Sequence, residues 1–207
     1  MLLLNKQEAL ARVASHNVGG PNETFVLNLG PQHPATHGVL RVKLTMDGEY
    51  IRKAECVIGY IHRMHEKMGE NRTCAQFLPN TSRLDYLSAM QYTHAWCGAV
   101  ERATKLEVPQ RAEYIRVVTS ELNRIASHLV GWGAWVMDLG GLTPILYAFD
   151  DREKILDLLE GICGARLTFC YYRFGGVVND IDDAFIQGTK AFVPYMRERL
   201  KMYRAFV

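Results

Sequence analysis

The period of the hydrophobic pattern changes near Gly59, and this change constrains the fold more than any other feature of the sequence. In residues 40–46, apolar side chains alternate with polar or charged ones, which predicts a strand with one apolar face. The turn signal Asp47-Gly48 follows, so we expect a hairpin whose second strand covers residues 50–58. Residues 25–29 are a further short strand candidate.

After Gly59, apolar residues recur at spacings of three and four, which is typical of helices that bury one face. Thr81 or Ser82 could cap a first long helix, and Pro109 fits the first turn of the next. A further helix is predicted to start at Asp150-Asp151 and to stop at Gly175-Gly176. The last helix is predicted to begin near Asp182, to include Pro194 and to run to Phe206-Val207.

The expected fold class is therefore α+β. A small antiparallel sheet or hairpin in a β-rich region, residues 1–58, precedes a helical bundle in residues 59–207. The last helix ends on Ala-Phe-Val without a glycine cap or a stop signal. We expect the parent chain to continue and the bundle to be incomplete; a natural tail that packs on the core is the alternative.

Charge and cysteine content exclude several classes of protein. With 24 basic and 22 acidic residues, the net charge of +2 is too small for a chain that depends on phosphate contacts, so no nucleic-acid partner is expected. The five cysteines are odd in number and form no C-x-x-C pair. Neither a disulfide framework nor a metal or iron–sulfur site within the chain is indicated, and reduced thiols in a cytosol-like compartment are expected.

The sequence indicates no targeting or membrane-spanning segment. The N-terminal run MLLLNKQEAL is too short for the core of a signal peptide, and no small-residue cleavage site follows it. Residues 129–149 are almost entirely apolar, but a central Asp138 would cost about 2.5–3.5 kcal/mol in a bilayer, and four glycines would weaken a helix there. We interpret this stretch as the buried end of a helix followed by a buried turn.

Three polar segments are candidates for chemistry. The loop GPQHPATHG, residues 30–38, is rich in turn residues and stiff, as a binding site requires, although an ordinary loop with exposed histidines remains the alternative. His62, His65 and Glu66 could bind a metal, but their spacing matches no established zinc motif, so a polar helix face is the simpler interpretation. The third segment, residues 80–86, is a polar cluster at an expected helix start.

Asp138 is the most unusual residue, because a carboxylate in an apolar neighbourhood must be paired or protonated. A His or Arg partner is expected, and structural and functional roles both remain open. In the polar cluster, Asp85 or Arg83 could serve only to cap a helix, and the hydroxyl of Tyr86 would need a partner if it were buried.

Six blocks of sequence, in order over residues 25–180, resemble the 49 kDa subunit of respiratory complex I, which corresponds to the D-subunit of bacterial NADH–quinone oxidoreductase. The blocks are NLGPQHPATHGVLRV, IGYIHRMHEK, RLDYLSAM, VPQRAEYIRVVTSELNRIASHL, DLGGLTPILYAFDDREKI and GARLTFCYYRFGGV. Chains of this family are about twice as long, so the resemblance covers an N-terminal half.

The resemblance extends to the large subunit of nickel–iron hydrogenases, with one departure. Where hydrogenases carry an R-x-C-x-x-C pair that binds the metals, this sequence has Asp85 and Ser88 after Arg83. A carboxylate and a hydroxyl cannot replace thiolates as ligands of soft metals, so no nickel–iron centre and no other metal in this chain is expected.

The resemblance implies a quinone site in place of the metal centre. His37 and Tyr86 match the family's ligands of the quinone carbonyls, and Asp138 matches the carboxylate partner of that histidine. Electrons would come from a 4Fe–4S cluster in a neighbouring subunit, close to Arg63 and Arg83. Imidazolium and phenol groups would supply the protons.

One position departs from the family in a way that concerns mechanism. Many members carry a histidine two residues after the arginine of the GAR stretch, and this histidine is thought to link the potential of the cluster to pH. The present chain has Thr168 there, so this coupling is not expected.

The implied function is that of a peripheral-arm subunit of a proton-translocating NADH:quinone oxidoreductase that is inactive alone. Its expected partners are the other peripheral-arm and membrane-arm subunits, including the iron–sulfur subunit, together with quinone. The expected location is the cytoplasmic side of the bacterial inner membrane. A non-catalytic assembly scaffold, or a truncated fragment of a related ferredoxin-dependent or hydrogenase-like membrane complex, is the alternative.

Overall fold

A computed structural model of the chain describes residues 24–206. It contains an antiparallel sheet followed by helices, which confirms the α+β class. Two compact units divide the chain between Arg63 and Met64. The interpretation of the N-terminal run MLLLNKQEAL lies outside the described residues. Because residues 1–23 are not described, the division into residues 1–58 and 59–207 stays a prediction.

The first unit contains the sheet, whose strand order is β1-β2-β3. The strands are β1 Phe25–Leu29, β2 Arg41–Asp47 and β3 Tyr50–Val57, all antiparallel to their neighbours. Leu44, in the middle of β2, lies opposite Leu27 and Ala54 and is buried. Gly48, with φ 58°, forms the turn between β2 and β3, so the hairpin at Asp47-Gly48 is confirmed.

The second unit is helical apart from one short hairpin. Its elements are α1 His65–Glu70, α2 Cys74–Thr81, α3 Ala89–Thr104, α4 Gln110–Asp138, α5 Thr143–Cys163, β4 Tyr172–Arg173, β5 Gly176–Val177 and α6 Asp183–Ala205. α4 has 29 residues and is about 43 Å long. Apolar side chains from α2 to α6 and from the β4 strand form one continuous core.

Local hydrogen bonds explain where several helices begin. α2 begins with a capping box, in which the Thr73 hydroxyl accepts from the Gln76 amide and the Gln76 side chain accepts from the Thr73 amide. The carboxylate of Asp182 accepts from the Phe185 amide at 2.8 Å, so the predicted start of the last helix is confirmed. Pro194 lies inside this helix, as expected.

Three predicted helix ends are wrong. Thr81 ends α2 instead of capping the next helix, because its hydroxyl donates to the Leu78 carbonyl within the same helix. α5 begins at Thr143, well before Asp150-Asp151, since Pro144 fits a first turn. The same helix ends at Cys163, where Gly164, with φ 71°, forms a left-handed cap, and not at Gly175-Gly176, which belong to the β4–β5 hairpin.

The apolar stretch of residues 129–149 is less buried than its composition indicates. Leu139 and Leu142, in the turn between α4 and α5, are 69% and 67% exposed, so the expected buried turn is wrong. The buried face of α4 ends at Val136, and Asp138 lies two residues, about 200°, further round the helix, so the carboxylate is exposed. None of the helices in the described part of the chain is long and apolar enough to cross a membrane.

A buried carboxylate joins α5 to α6. Asp151 is fully buried and accepts hydrogen bonds from the hydroxyls of Tyr195 and Tyr203 and from Arg199 Nε, which lies 2.7 Å away. Burial and the hydrogen bond to Asp151 raise the pKa of Tyr195 to about 12. The carboxylate therefore has a partner for each of its oxygens.

We expect Asp151→Asn to lower the free energy of unfolding by about 3 kcal/mol, because it leaves the Arg199 charge without its partner. Urea unfolding of the purified chain, followed by circular dichroism, measures this. The control is Asp150→Asn at the neighbouring exposed position, for which the expected change is within about 0.5 kcal/mol. Equal losses in the two variants would contradict the assigned role of Asp151.

Candidate functional site

His37 lies in the first unit, in a loop that internal hydrogen bonds hold in one conformation. A short 3-10 helix, Pro34–Thr36, begins where the His33 Nδ1 accepts from the Ala35 amide at 3.2 Å. The Thr36 hydroxyl donates to the His33 carbonyl at 2.8 Å. His37 then adopts φ 48°, and its amide donates to the Pro34 carbonyl. The loop is turn-rich, as the sequence predicts, and exposes the His37 side chain.

The same loop begins at a position that requires glycine. Gly30 has φ 85°, and a Cβ atom built there would lie 2.0 Å from the Leu40 carbonyl oxygen. Any other residue would thus collide with the backbone at the start of β2. This close approach places the residue 30–38 loop directly against β2, the strand that follows it.

Tyr86 lies in the second unit, in the segment between α2 and α3. Tyr86 is 52% exposed, so its hydroxyl does not need a partner within the core. Next to it, Asp85 accepts hydrogen bonds from the amides of Leu87 and Ser88 and from the Ser88 hydroxyl. Asp85 thus caps the turn from which Tyr86 projects.

Asp85 and Ser88 form a hydrogen bond with each other at the position where hydrogenases bind their metals. These residues stand where the resemblance places the thiolates of hydrogenases, and here they bind each other. Within residues 24–206 no three His, Cys, Asp or Glu side chains are grouped closely enough to hold a metal ion. His65 is the first residue of α1 and His62 precedes the helix, so the two imidazoles do not share the helical face that the sequence allowed.

The remaining predicted residues are all exposed. Arg63 is the last residue of the first unit. Arg83 precedes Tyr86 and donates to the Pro79 carbonyl at 2.6 Å. Asp138 is the last residue of α4. The structure thus places His37 and Arg63 in the first unit and the other three in the second.

Sequence reasoning missed a buried ion pair that joins α3, α4 and the β4–β5 hairpin. The Arg116 guanidinium donates to both carboxylate oxygens of Glu101, at 2.7 and 3.0 Å, and to the carbonyls of Arg173 and Gly176. The Arg116 side chain is 1% exposed and that of Glu101 is 7% exposed. The available signal was that Arg116 lies one residue after Ile115, on the edge of the apolar stripe of α4.

The ion pair determines the charge of Glu101. Burial opposes the charged form, but the hydrogen bonds from Arg116 and from the Gly175 amide, together with the Arg116 charge, outweigh it. The pKa of the Glu101 carboxyl therefore lies below its ordinary value of 4.5. Burial and the same arginine lower the pKa of His94, whose ring packs edge-on against Tyr172.

A cavity of about 610 Å³ lies between α4 and α6. Its lining is mainly apolar, with Leu129, Trp132 and Met196 among the side chains and His128 and Arg204 as the polar ones. None of the five site residues predicted from the sequence lines this cavity.

Comparison with known proteins identifies the family. Residues 138–207 match the sequence profile described as "Respiratory-chain NADH dehydrogenase, 49 Kd subunit". The chain is similar to the NADH-quinone oxidoreductase D-subunit 2 of Opitutus terrae, with 77% identity over 90% of this chain and 47% of that protein. It is also similar to the NADH-quinone oxidoreductase D-subunit of Desulfotalea psychrophila, with 69% identity over 94% of this chain and 52% of the relative.

The chain belongs to the family of the 49 kDa subunit of respiratory-chain NADH dehydrogenase. A third member of this 49 kDa family, the D-subunit of Syntrophobacter fumaroxidans, is 58% identical over 89% of the chain. The chain spans about half the length of the curated relatives it matches.

Glu101→Gln is expected to lower the free energy of unfolding at pH 7 by about 3 kcal/mol, because Arg116 loses its buried counter-charge and keeps only the exposed carboxylate of Glu113, 3.0 Å away. The pKa of Glu101 is depressed in the folded state, so its contribution to stability is present above pH 4.5 and is lost as the pH falls through the folded-state value. The variant should lack this part of the acid dependence.

Urea unfolding at pH 7 and at pH 4 measures both effects. The control is Glu121→Gln, which removes an exposed pair with Arg124 and should change stability at pH 7 by less than about 1 kcal/mol. A Glu101→Gln variant as stable as the wild type at pH 7 would show that the pair is not required.

Proposed function

We propose that this chain is a peripheral-arm subunit of a respiratory NADH:quinone oxidoreductase and contributes to its quinone-reduction site. The observation that carries the proposal is the 77% identity, over nine tenths of the chain, to a protein named as a D-subunit of NADH-quinone oxidoreductase. The enzyme is then an oxidoreductase of several subunits, and this subunit is inactive alone. Its partners are the other subunits of the peripheral and membrane arms.

The proposed ligands of the quinone carbonyls are His37 and Tyr86. Both side chains are exposed and can reach a ligand, and both come from turns with internal hydrogen bonds. Reduction to quinol takes two electrons and two protons, which an imidazolium and a phenol can donate. Turns of defined conformation favour the alignment that proton transfer needs.

The proposed role of Asp138 is to stabilise the imidazolium of His37 until its proton is transferred. A carboxylate favours the charged form of a nearby histidine. The position of Asp138 at the end of α4, with its carboxylate exposed, supports this role, because the group is not confined to the core of the helical unit.

The electrons are proposed to come from a 4Fe–4S cluster that a neighbouring subunit holds. The five cysteines of this chain are free thiols, and such a cluster normally needs four thiolate ligands grouped together. Arg63 and Arg83 are exposed and are the proposed neighbours of that cluster, where positive charge favours its reduced form. The proposed location is the cytoplasmic side of the bacterial inner membrane.

Tyr86→Phe in the assembled enzyme is expected to reduce quinone reductase activity by about 10²-fold, because the variant lacks the proton donor. Electron transfer to an artificial acceptor that is reduced upstream of the quinone should not change. Steady-state rates with both acceptors measure the effect. The control is Tyr92→Phe, at another exposed tyrosine in α3, which should retain both activities. Full quinone turnover in Tyr86→Phe would contradict the proposed role of Tyr86 and favour the alternative of a non-catalytic scaffold.

The metal-protein alternative has a separate test. The purified chain is expected to contain no stoichiometric nickel or zinc after incubation with either ion and removal of the excess, because His62, His65 and Glu66 form no ligand set. Elemental analysis by mass spectrometry measures the content. One bound ion per chain that is lost in His65→Ala would establish a metal site and contradict this expectation.

A further inference from the structure

We propose that Asn123 is a positioning residue for the proposed quinone ligand Tyr86. The Asn123 side-chain amide binds the backbone on the C-terminal side of Tyr86 and determines where its phenol lies. This inference rests on the proposed function, because it assigns Asn123 a part in quinone binding only through Tyr86.

The first contact replaces a missing helix cap. The first amides of a helix have no partner within the helix, and a serine at the N-cap position usually accepts from one of them. Ser88 occupies that position in α3 but accepts no such bond, and its hydroxyl instead donates to Asp85. Instead, the Met90 amide donates to Asn123 Oδ1 at 3.1 Å, from the neighbouring helix α4.

The second contact holds the residue after Tyr86. Asn123 Nδ2 donates to the Leu87 carbonyl at 3.1 Å, and the Leu87 amide donates to the Asp85 carboxylate at 3.0 Å. Leu87 is thus bound at both of its backbone polar groups. Asp85 holds the turn from one side and Asn123 holds it from α4, so the backbone that carries Tyr86 has little freedom.

Asn123 is buried and Tyr86 is exposed, and this difference links the position of the phenol to the backbone of the turn. Asn123 is 1% exposed, so its amide is packed in the core and cannot exchange its partners for water. The Tyr86 ring is half exposed, and among residues 24–206 its hydroxyl has no hydrogen-bond partner. The direction of the phenol therefore depends on the turn, and the turn depends on Asn123.

The test uses the assembled enzyme with Asn123→Leu, which keeps the size of the side chain and removes both contacts. We expect the KM for a short-chain quinone to rise about tenfold, because the ligand is displaced, while the rate with an acceptor reduced upstream stays unchanged. The matched control is Thr119→Val, one turn earlier in α4, whose buried hydroxyl contacts Tyr172 and not the Tyr86 turn. Thr119→Val should leave the quinone KM unchanged.

A double variant separates this inference from the proposed function. In a Tyr86→Phe background, Asn123→Leu should add less than about a twofold change in KM, since the group that it positions is absent. Wild-type kinetics in Tyr86→Phe would overturn the proposed role of Tyr86 as a quinone ligand, on which this inference rests. If Tyr86→Phe lowers activity while Asn123→Leu leaves the kinetics normal, or if the two effects are independent and multiplicative, only the role of Asn123 is overturned.

A measurement on the wild-type enzyme covers the case in which Asn123→Leu does not assemble. The Met90 amide should exchange its hydrogen for deuterium much more slowly than the preceding Ala89 amide, because Asn123 accepts from it. Equal exchange at the two amides would overturn the inference. The second variant is Asn123→Asp, which still accepts from the Met90 amide but has no hydrogen to donate to the Leu87 carbonyl. Its quinone KM, measured per assembled enzyme, is compared with that of the wild type.

Discussion

The buried guanidinium of Arg116 is the interaction on which the rest of the helical unit depends. It satisfies Glu101 in α3 and two carbonyls of the β4–β5 hairpin while belonging to α4 itself. A buried charge is costly without its partners, so these contacts favour the packing of the three elements against one another. Glu101 also accepts from the Gly175 amide, which fixes the turn of the hairpin against α3.

The same helix, α4, joins this ion pair to the proposed site. Arg116 and Asn123 are seven residues, about two turns, apart, and both are fully buried. Arg116 donates to a carbonyl of the β4–β5 hairpin, and two turns further along α4 Asn123 donates to the Leu87 carbonyl in the Tyr86 turn. Buried side chains of one helix thus bind both the hairpin and the turn that carries Tyr86, the proposed quinone ligand.

Strands and some helix ends could be predicted because their signals are local. The hairpin at Asp47-Gly48 and the cap at Asp182 each depend on contacts within a few residues. The predictions at Thr81 and Gly175 were wrong, because a threonine can cap a helix and a glycine can end one, but neither residue does so here. The Thr81 hydroxyl bonds back within its own helix, and Gly175 serves a hairpin held by Glu101, 74 residues away in sequence.

The sequence by itself determined the α+β class, the family and the absence of the hydrogenase thiolates, because order, spacing and residue type are all visible in the chain. Tertiary structure alone decided that Asp138 is exposed and that Asn123, not Ser88, caps α3. The physical reason is that burial and hydrogen-bond partners depend on which helix faces meet. An asparagine in the middle of a helical sequence does not show which backbone it will bind.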